Sequence, residues 1–435
     1  MNPRLGQLPM VLRREYFGGV MFDPADATFI ELDAEGYALL RDFARDPGMA
    51  LDQSAEVLLA QVREQLVSLD GRRIRVVEAD SVEQSTSPPV LSAPSLVDFQ
   101  ITDQCHLDCP HCYASSTPEG GHAELEDIYL ALEQVAEAGA FQVAIGGGEP
   151  LLHPHLEALL QRCHQLGLVP NLTTSGLHLD AERLRIIGEY CGAVGLSLEG
   201  VGEDYAAYRK SGFRRFEKNL ALLLGHGIPC VLQVTLNTDT FARLDSITDY
   251  LKRQQGIYGV IFLAYKAVGR GRDFSQTLAA LPHYEVNSRI ERAFGELSEF
   301  TRVGFDCCLT PGVTGSGNAF DAHAARYLEG CSALRSSIGL LPNLDVLPCT
   351  FTPQHAVGNL REQKLGDIWH NLNTQRFRSD MAGRAEGNAS CSSCAKHSYC
   401  LGGCPVYELV NCSSDYLAAN GRGSSEQVKM QSDFS

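Results

Sequence analysis

Apolar residues recur along the chain with two different periods, and the changes between them mark its parts. Val11–Arg14 and Gly19–Phe22 read as strands, followed by the strand-like Phe29-Ile30-Glu31-Leu32. Tyr37, Leu40 and Phe43, then Ala55, Leu58, Leu59, Val62 and Leu66, fall at offsets of three and four, the spacing of helices that bury one face. Residues 79–96 break the pattern with Ser81, Ser85, Ser87, Pro88, Pro89 and Pro94, a linker composition. From Val97 to about Phe300 strands and helices alternate. Strands are expected at 97–103, 141–146, 169–173, 193–198, 230–236 and 259–264. Between them lie the helical patterns of Leu125, Ile128, Leu132 and Val135, of Leu156, Leu159 and Leu160, and of Leu220, Leu223 and Leu224. Such alternation predicts right-handed βαβ units and a parallel sheet. Six repeats suit an incomplete barrel and an open sheet alike. Beyond Phe300 helical periodicity fades, and residues 413–435, with Gly421, Gly423, Ser424 and Ser425, read as a disordered tail.

Composition narrows the function. The chain has 435 residues, 44% apolar and 20% charged, with a net charge of −17. That balance disfavours a broad polyanion-binding surface, so no nucleic-acid partner is expected. No apolar run approaches the ~18 residues of a membrane helix, so no membrane partner is expected either. The N-terminus lacks a secretory apolar core, which predicts a cytoplasmic protein. Fifteen cysteines then need a reason. In a reducing compartment metal binding or catalysis explains them better than disulfides do. Cys163, Cys191 and Cys230 stand apart from the clusters, and Cys191 and Cys230, beside expected strands, read as small core hydrophobes.

Cys105-His106-Leu107-Asp108-Cys109-Pro110-His111-Cys112-Tyr113 follows the first strand of the alternating region. Three thiolates on one short loop can hold three corners of an iron–sulfur cubane and leave the fourth iron open. A zinc site completed by His106 or His111 is the alternative. The second strand ends in Gly146-Gly147-Gly148-Glu149-Pro150, a turn whose backbone amides and carboxylate can meet a charged small molecule. Together the two motifs resemble the radical S-adenosylmethionine enzymes over about residues 97–300. The resemblance implies a [4Fe–4S] cluster on Cys105, Cys109 and Cys112, with S-adenosylmethionine chelating the open iron. It places Gly147, Gly148 and Glu149 beside the methionine amino group. Thr174, Ser175, Ser197 and Glu199 fall by ribose or the methionine carboxylate, and Gln233 and Leu236 near adenine. Strand-end hydroxyl bonding is the plain alternative for Thr174, Ser175 and Ser197. Tyr265–Gly271 is similar to a loop after the sixth strand in these enzymes, or is a basic surface turn.

Cys391-x2-Cys394-x5-Cys400-x3-Cys404, followed by Cys412, requires several spacings to agree at once. It resembles the SPASM domain, a C-terminal extension with two auxiliary [4Fe–4S] clusters. The resemblance implies one cluster on Cys331, Cys349 and Cys404, with Cys308 favoured over Cys307 as fourth ligand. The other would use Cys391, Cys394, Cys400 and Cys412. Three clusters are thus expected. A zinc ribbon on Cys391, Cys394, Cys400 and Cys404 is the alternative. Where the family usually has a glycine five residues before Cys349, this chain has Leu344, which predicts a different hairpin turn, with Asn343 able to take positive φ.

The N-terminal strands and helices resemble the RiPP recognition element, a winged-helix-like module related to the pyrroloquinoline-quinone chaperone that binds a leader peptide as an added strand. The expected edge is around Phe17–Phe22; a capping or dimerisation module is the alternative. The fold expected is α/β, a partial (β/α)6 TIM-like barrel between a winged-helix-like domain and a cysteine-rich iron–sulfur domain. Its parts are residues 1–78, a linker at 79–96, the barrel at 97–300, the SPASM region at 301–412 and the tail at 413–435. The resemblance implies a peptide maturase that abstracts hydrogen from a ribosomal precursor peptide and installs a thioether, carbon–carbon or carbon–oxygen crosslink. Its partners would be that precursor, with its leader segment, and an electron donor such as flavodoxin or ferredoxin. A sulfatase-maturing formylglycine enzyme and a zinc-stabilised peptide-binding scaffold are the alternatives.

Overall fold

The computed structural model describes residues 4–66, 69, 71–78, 90–274, 276, 278, 281, 283–309, 330–386, 391, 394, 400 and 402–406. Most of the predicted linker, the predicted tail and Cys412 lie outside these residues.

The N-terminal strands β1 (Met10–Glu15), β2 (Gly18–Asp23) and β3 (Thr28–Leu32) form a meander. Helices Ala34–Arg45 and Gln53–Gln65 follow, then β4 (Ile74–Val77). Asp33 and Asp52 cap the two helices by accepting hydrogen bonds from the backbone N–H of Gly36 and Ala55. The sequence pattern did not mark β4, which pairs parallel with β1 and gives the sheet order β3-β2-β1-β4. Thus β2 is an interior strand, paired with β1 and β3, and the Phe17–Phe22 stretch is not an edge. Strand alternation splits the buried side chains in two. Met10, Leu12 and Met21 pack with the helices, whereas Val11, Val20 and Phe22 pack against Phe141 and Val169 of the central domain.

In that domain β5 (Leu96–Thr102), β6 (Gln142–Gly147), β7 (Val169–Thr174), β8 (Val194–Ser197), β9 (Cys230–Leu236) and β10 (Gly259–Ala264) fall within a few residues of expectation. They run parallel in sequential order, and a seventh parallel strand, β11 (Arg302–Phe305), extends the run beyond residue 300. The sheet is open. Its β5 edge is continued by β12 (Ser337–Leu340), β13 (Asp345–Leu347) and β14 (Gly358–Asn359). The cysteine-rich region is thereby built onto the strand that precedes the first cysteine loop. Two helices the pattern did not mark, Leu365–His370 and Leu372–Glu386, follow.

Residues 90–95 are not a free linker. The N–H groups of Leu91 and Ser95 donate to the carbonyls of Arg335 and Ser336, and the Trp369 indole N–H donates to the Leu91 carbonyl. Phe141 and Val169 stand at the amino ends of β6 and β7. The N-terminal unit therefore docks on the end of the sheet opposite the cysteine loop. Among the described residues no helix is long and apolar enough to cross a membrane.

At the hairpin before Cys349 the positive φ falls on Leu344 and not on Asn343. The leucine itself adopts the left-handed conformation, at φ 68°, while fully buried. Gly339 has a plain steric role, because a Cβ there would lie 2.7 Å from the Thr350 backbone nitrogen, which crosses directly over it.

Candidate active site

A register irregularity in β5 between Gln100 and Thr102 re-aims the chain just before the cysteine loop. The loop is then held at several points. Cys105 N–H donates to the Thr117 carbonyl at 2.9 Å and Cys112 N–H to that of Cys109 at 3.2 Å. Arg270 Nε donates to the Cys109 carbonyl at 3.0 Å and Nη1 to that of Ser116 at 3.1 Å. A Cβ on Gly269 would lie 2.1 Å from the Tyr113 carbonyl oxygen, so only glycine lets this segment close on the loop. The Tyr265–Gly271 stretch is thus a buttress of the cysteine loop.

The three thiols share one electrostatic environment. Burial pushes Cys105 up to about 11, helped by the charges of Glu149, Cys109 and Cys112. Burial also raises Cys109, opposed by Arg209, whose Nη1 stands 3.7 Å from the sulfur. Cys105 and Cys109 thus resist ionisation in water-poor surroundings, and a cationic metal core removes that resistance. Among the described residues no three His, Cys, Asp or Glu side chains converge on a single ion. A cubane spreads its ligands over separate iron corners.

The GGGEP turn closes on this loop more tightly than expected. The amides of Gly148 and Glu149 donate to the carbonyls of Thr102 and Gln104 at 2.7 and 2.8 Å, so these amides are spent within the protein. A Cβ on Gly147, at φ 113°, would lie 2.3 Å from the Thr102 carbonyl oxygen, and one on Gly148 2.2 Å from that of Gln104. Glu149 is buried and accepts from Thr174 Oγ1 at 2.5 Å, from Ser175 N–H at 3.0 Å and from Ser175 Oγ. Thr174 and Ser175 thus bond at their strand end through Glu149.

Glu199 is bound by Arg209 through both oxygens, at 2.6 and 2.5 Å, and its Oε1 lies 3.5 Å from His111 Nε2. Burial works against its charge, yet Arg209 and His111 hold the carboxyl down to about 2. It orients Arg209 and His111 at the cysteine loop. Ser197 pairs with Gln233 across β8 and β9, and the Gln233 amide fills the space above Gly195. Leu236, an odd number of residues from Gln233, projects to the other face of β9 and is fully buried with Leu232 and Val234. Several polar atoms around the cysteine loop are buried without a protein partner, His111 Nδ1 and Asn237 Nδ2 among them. Tyr208 connects these two residues, its ring 5.5 Å from that of His111 and its hydroxyl 3.1 Å from Asn237 Oδ1. A polar cosubstrate fits these orphaned groups.

The second cysteine group divides. Cys307 interacts electrostatically with Cys308 and Cys331, and Cys308 with Cys404. Cys349 lies within their electrostatic reach. Both candidates for the fourth ligand are therefore beside the other three. Cys391 and Cys394 are joined by a backbone turn, as are Cys400 and Gly403, and Cys412 lies outside the described residues. Tyr113 links the first group to the second, its ring centroid 4.5 Å from that of Phe351, two residues after Cys349. Cys191 and Cys230 are buried core residues, as expected, and so is Cys163. Motif spacing missed Arg209, and for Arg270 and Lys266, within the Tyr265–Gly271 stretch, it gave no partners.

Residues 99–251 match the radical SAM superfamily, and residues 331–395 match the SPASM iron–sulfur cluster-binding domain. The chain is 28% identical over 351 residues to a PqqA peptide cyclase of Xanthomonas oryzae pv. oryzae, covering 75% of this chain and 86% of that protein. It is 27% identical over 350 residues to a PqqA peptide cyclase of Xanthomonas campestris pv. campestris, covering 75% and 85%. Among solved structures it is similar in fold to Streptococcus suis SuiB bound to the precursor peptide SuiA. The TM-score is 0.68 at 18% identity, over 91% of this chain and 94% of that one. It is also similar to anSMEcpe with bound AdoMet and the Cp18Cys peptide, with a TM-score of 0.56 at 17% identity, over 72% and 89%.

Proposed function

We infer that this chain, a radical S-adenosylmethionine enzyme with a SPASM iron–sulfur domain, is a maturase that crosslinks a ribosomally made precursor peptide. The observation that carries the reading is the pairing of the cysteine loop with orphaned polar atoms in the same wall, in a chain similar to peptide cyclases over three-quarters of its length. Cys105, Cys109 and Cys112 would hold the first [4Fe–4S] cluster. Cys331, Cys349 and Cys404 with Cys308 or Cys307 would hold one auxiliary cluster, and Cys391, Cys394, Cys400 and Cys412 the other. When bound, the first cluster and S-adenosylmethionine supply a carbon radical that removes hydrogen from the peptide. The chain's own residues do the rest. Arg209 and Arg270 fix the cysteine loop, Glu149 ties the β7 end to the turn beside it, and His111 and Asn237 offer polar contacts to the cosubstrate.

For the leader peptide we propose the free edge of β3, Thr28–Leu32. The opposite edge strand, β4, is turned toward the central domain, with Arg75 Nη1 donating to the Ala136 carbonyl. An added strand gains main-chain hydrogen bonds at β3, whose outer side pairs with no strand among the described residues. The likeness to PqqA peptide cyclases over 75% of the chain supports the crosslinking reading over formylglycine formation. Anaerobic turnover with the peptide encoded beside this gene tests it. Loss of two hydrogens from the core peptide, together with 5′-deoxyadenosine, is the expected result. An unmodified peptide with normal cosubstrate cleavage would refute the substrate assignment.

A further inference from the structure

Lys266, the second residue of the Tyr265–Gly271 stretch, is only 6% exposed. It follows β10, and its Nζ donates to Asp306 Oδ2 at 2.7 Å and to the Ala264 carbonyl at 3.3 Å. The same ammonium lies 4.3 Å from the centre of the Phe351 ring. Its two partners flank the inner auxiliary cysteines: Asp306 immediately precedes Cys307, and Phe351 follows Cys349 by two residues. Asp306 also shapes the cysteine turn, its Oδ1 accepting from the N–H groups of Cys308 and Leu309, both at 3.2 Å. With Ala264 N–H also on Oδ2, Asp306 is fully engaged and is not a free proton acceptor.

We propose that Lys266 is a positioning residue that supplies the fixed positive charge balancing the auxiliary cluster held by Cys331, Cys349 and Cys404 with Cys308 or Cys307, and so raises the reduction potential of that cluster. Asp306 is the opposing charge that limits this rise. A buried cation favours the more negative, reduced state of a cluster, and a buried carboxylate disfavours it. Burial opposes charge on Lys266, but Asp306 and the cysteines Cys308, Cys404 and Cys307 more than offset it. The proposal rests on reading these cysteines as cluster ligands.

The test is a redox titration followed by electron paramagnetic resonance on full-length, anaerobically reconstituted protein. A Cys105→Ala/Cys109→Ala/Cys112→Ala background removes the first cluster's signal. Lys266→Met is expected to shift one auxiliary midpoint negative, Asp306→Asn to shift the same midpoint positive, and Lys266→Arg to leave it near the parent value. The other auxiliary signal stays in place in all three. Shifts of the same sign for Lys266→Met and Asp306→Asn, or no shift at full iron content, would overturn the proposal. Loss of about four irons from Lys266→Met but not from Lys266→Arg supports charge balance, whereas equal loss from both overturns it in favour of packing. A parent protein with no auxiliary iron would instead remove the cluster assignment beneath it.

Discussion

At the scale of single residues, the site depends on polar groups whose partners are specified on both sides. His153, just after the GGGEP turn, is 3% exposed. Its Nδ1 accepts from the His155 N–H at 3.1 Å, so the proton sits on Nε2, which donates to the Ala123 carbonyl at 3.1 Å. Burial holds its pKa down to about 4, and a second proton would break the Nδ1 bond. The unfolded chain binds that proton more readily. The contribution to stability is therefore complete above about pH 6.5 and is lost as pH falls toward 4, by roughly 3 kcal/mol in all. Anaerobic urea unfolding between pH 7.5 and 5 should show this loss, and His153→Gln should flatten the slope; an unchanged slope would refute the assignment. Sequence legibility at this scale followed chemistry. The cysteines were readable because a cluster demands several ligands at set spacings. Arg209, Arg270 and Lys266 were not, because a basic side chain carries no sign of the carboxylate or carbonyl it will meet across 10 to 161 positions.

At the scale of elements, strand and helix periods located β5 to β10 closely, since buried parallel strands require continuous apolar runs. The same reasoning failed for β2, because period reports which face is buried and not whether a strand has neighbours on both sides. β4, too short for a pattern, escaped for a related reason. The Leu344 turn is more instructive. The chain keeps a left-handed residue without glycine by burying the leucine side chain completely. Left-handed strain costs about 1–2 kcal/mol, and truncation of a buried leucine about 2–5 kcal/mol. Leu344→Gly recovers the first while losing the second, whereas Leu344→Ala loses packing and keeps the strain. Thermal unfolding should rank wild type above Leu344→Gly and Leu344→Gly above Leu344→Ala. The reverse order of the two variants would show that the turn stores no strain.

At the scale of the whole molecule, one buried ion pair fastens the N-terminal unit to the central domain. Arg13 Nε donates to Glu15 at 2.8 Å, and its Nη1 donates to the carbonyls of Pro94 and Gly139 at 3.1 and 3.0 Å. Glu15 accepts in turn from the Ser92 N–H at 2.7 Å, and the guanidinium stacks 4.6 Å from the centre of the Phe141 ring. Removing one partner leaves a buried charge unpaired, at a cost of about 3–5 kcal/mol. Arg13→Met should therefore expose residues 90–95 to proteolysis, and Arg13→Met/Glu15→Gln should restore part of the protection. Equal cleavage of both variants would mean that the contact works by shape alone. The order of the radical SAM and SPASM regions was legible from cysteine placement. How the N-terminal unit sits was not, because Arg13 reads as an ordinary surface basic residue until its partners are known.

The central claim is that Cys105, Cys109 and Cys112 hold a cubane with one open iron for S-adenosylmethionine. Its most direct measurement is 5′-deoxyadenosine formation by the reduced, anaerobically reconstituted protein, compared with a variant in which all three cysteines are alanine. The account predicts product from the wild type and none from the variant, which keeps about eight of about twelve irons. Product from the triple-alanine protein would contradict it.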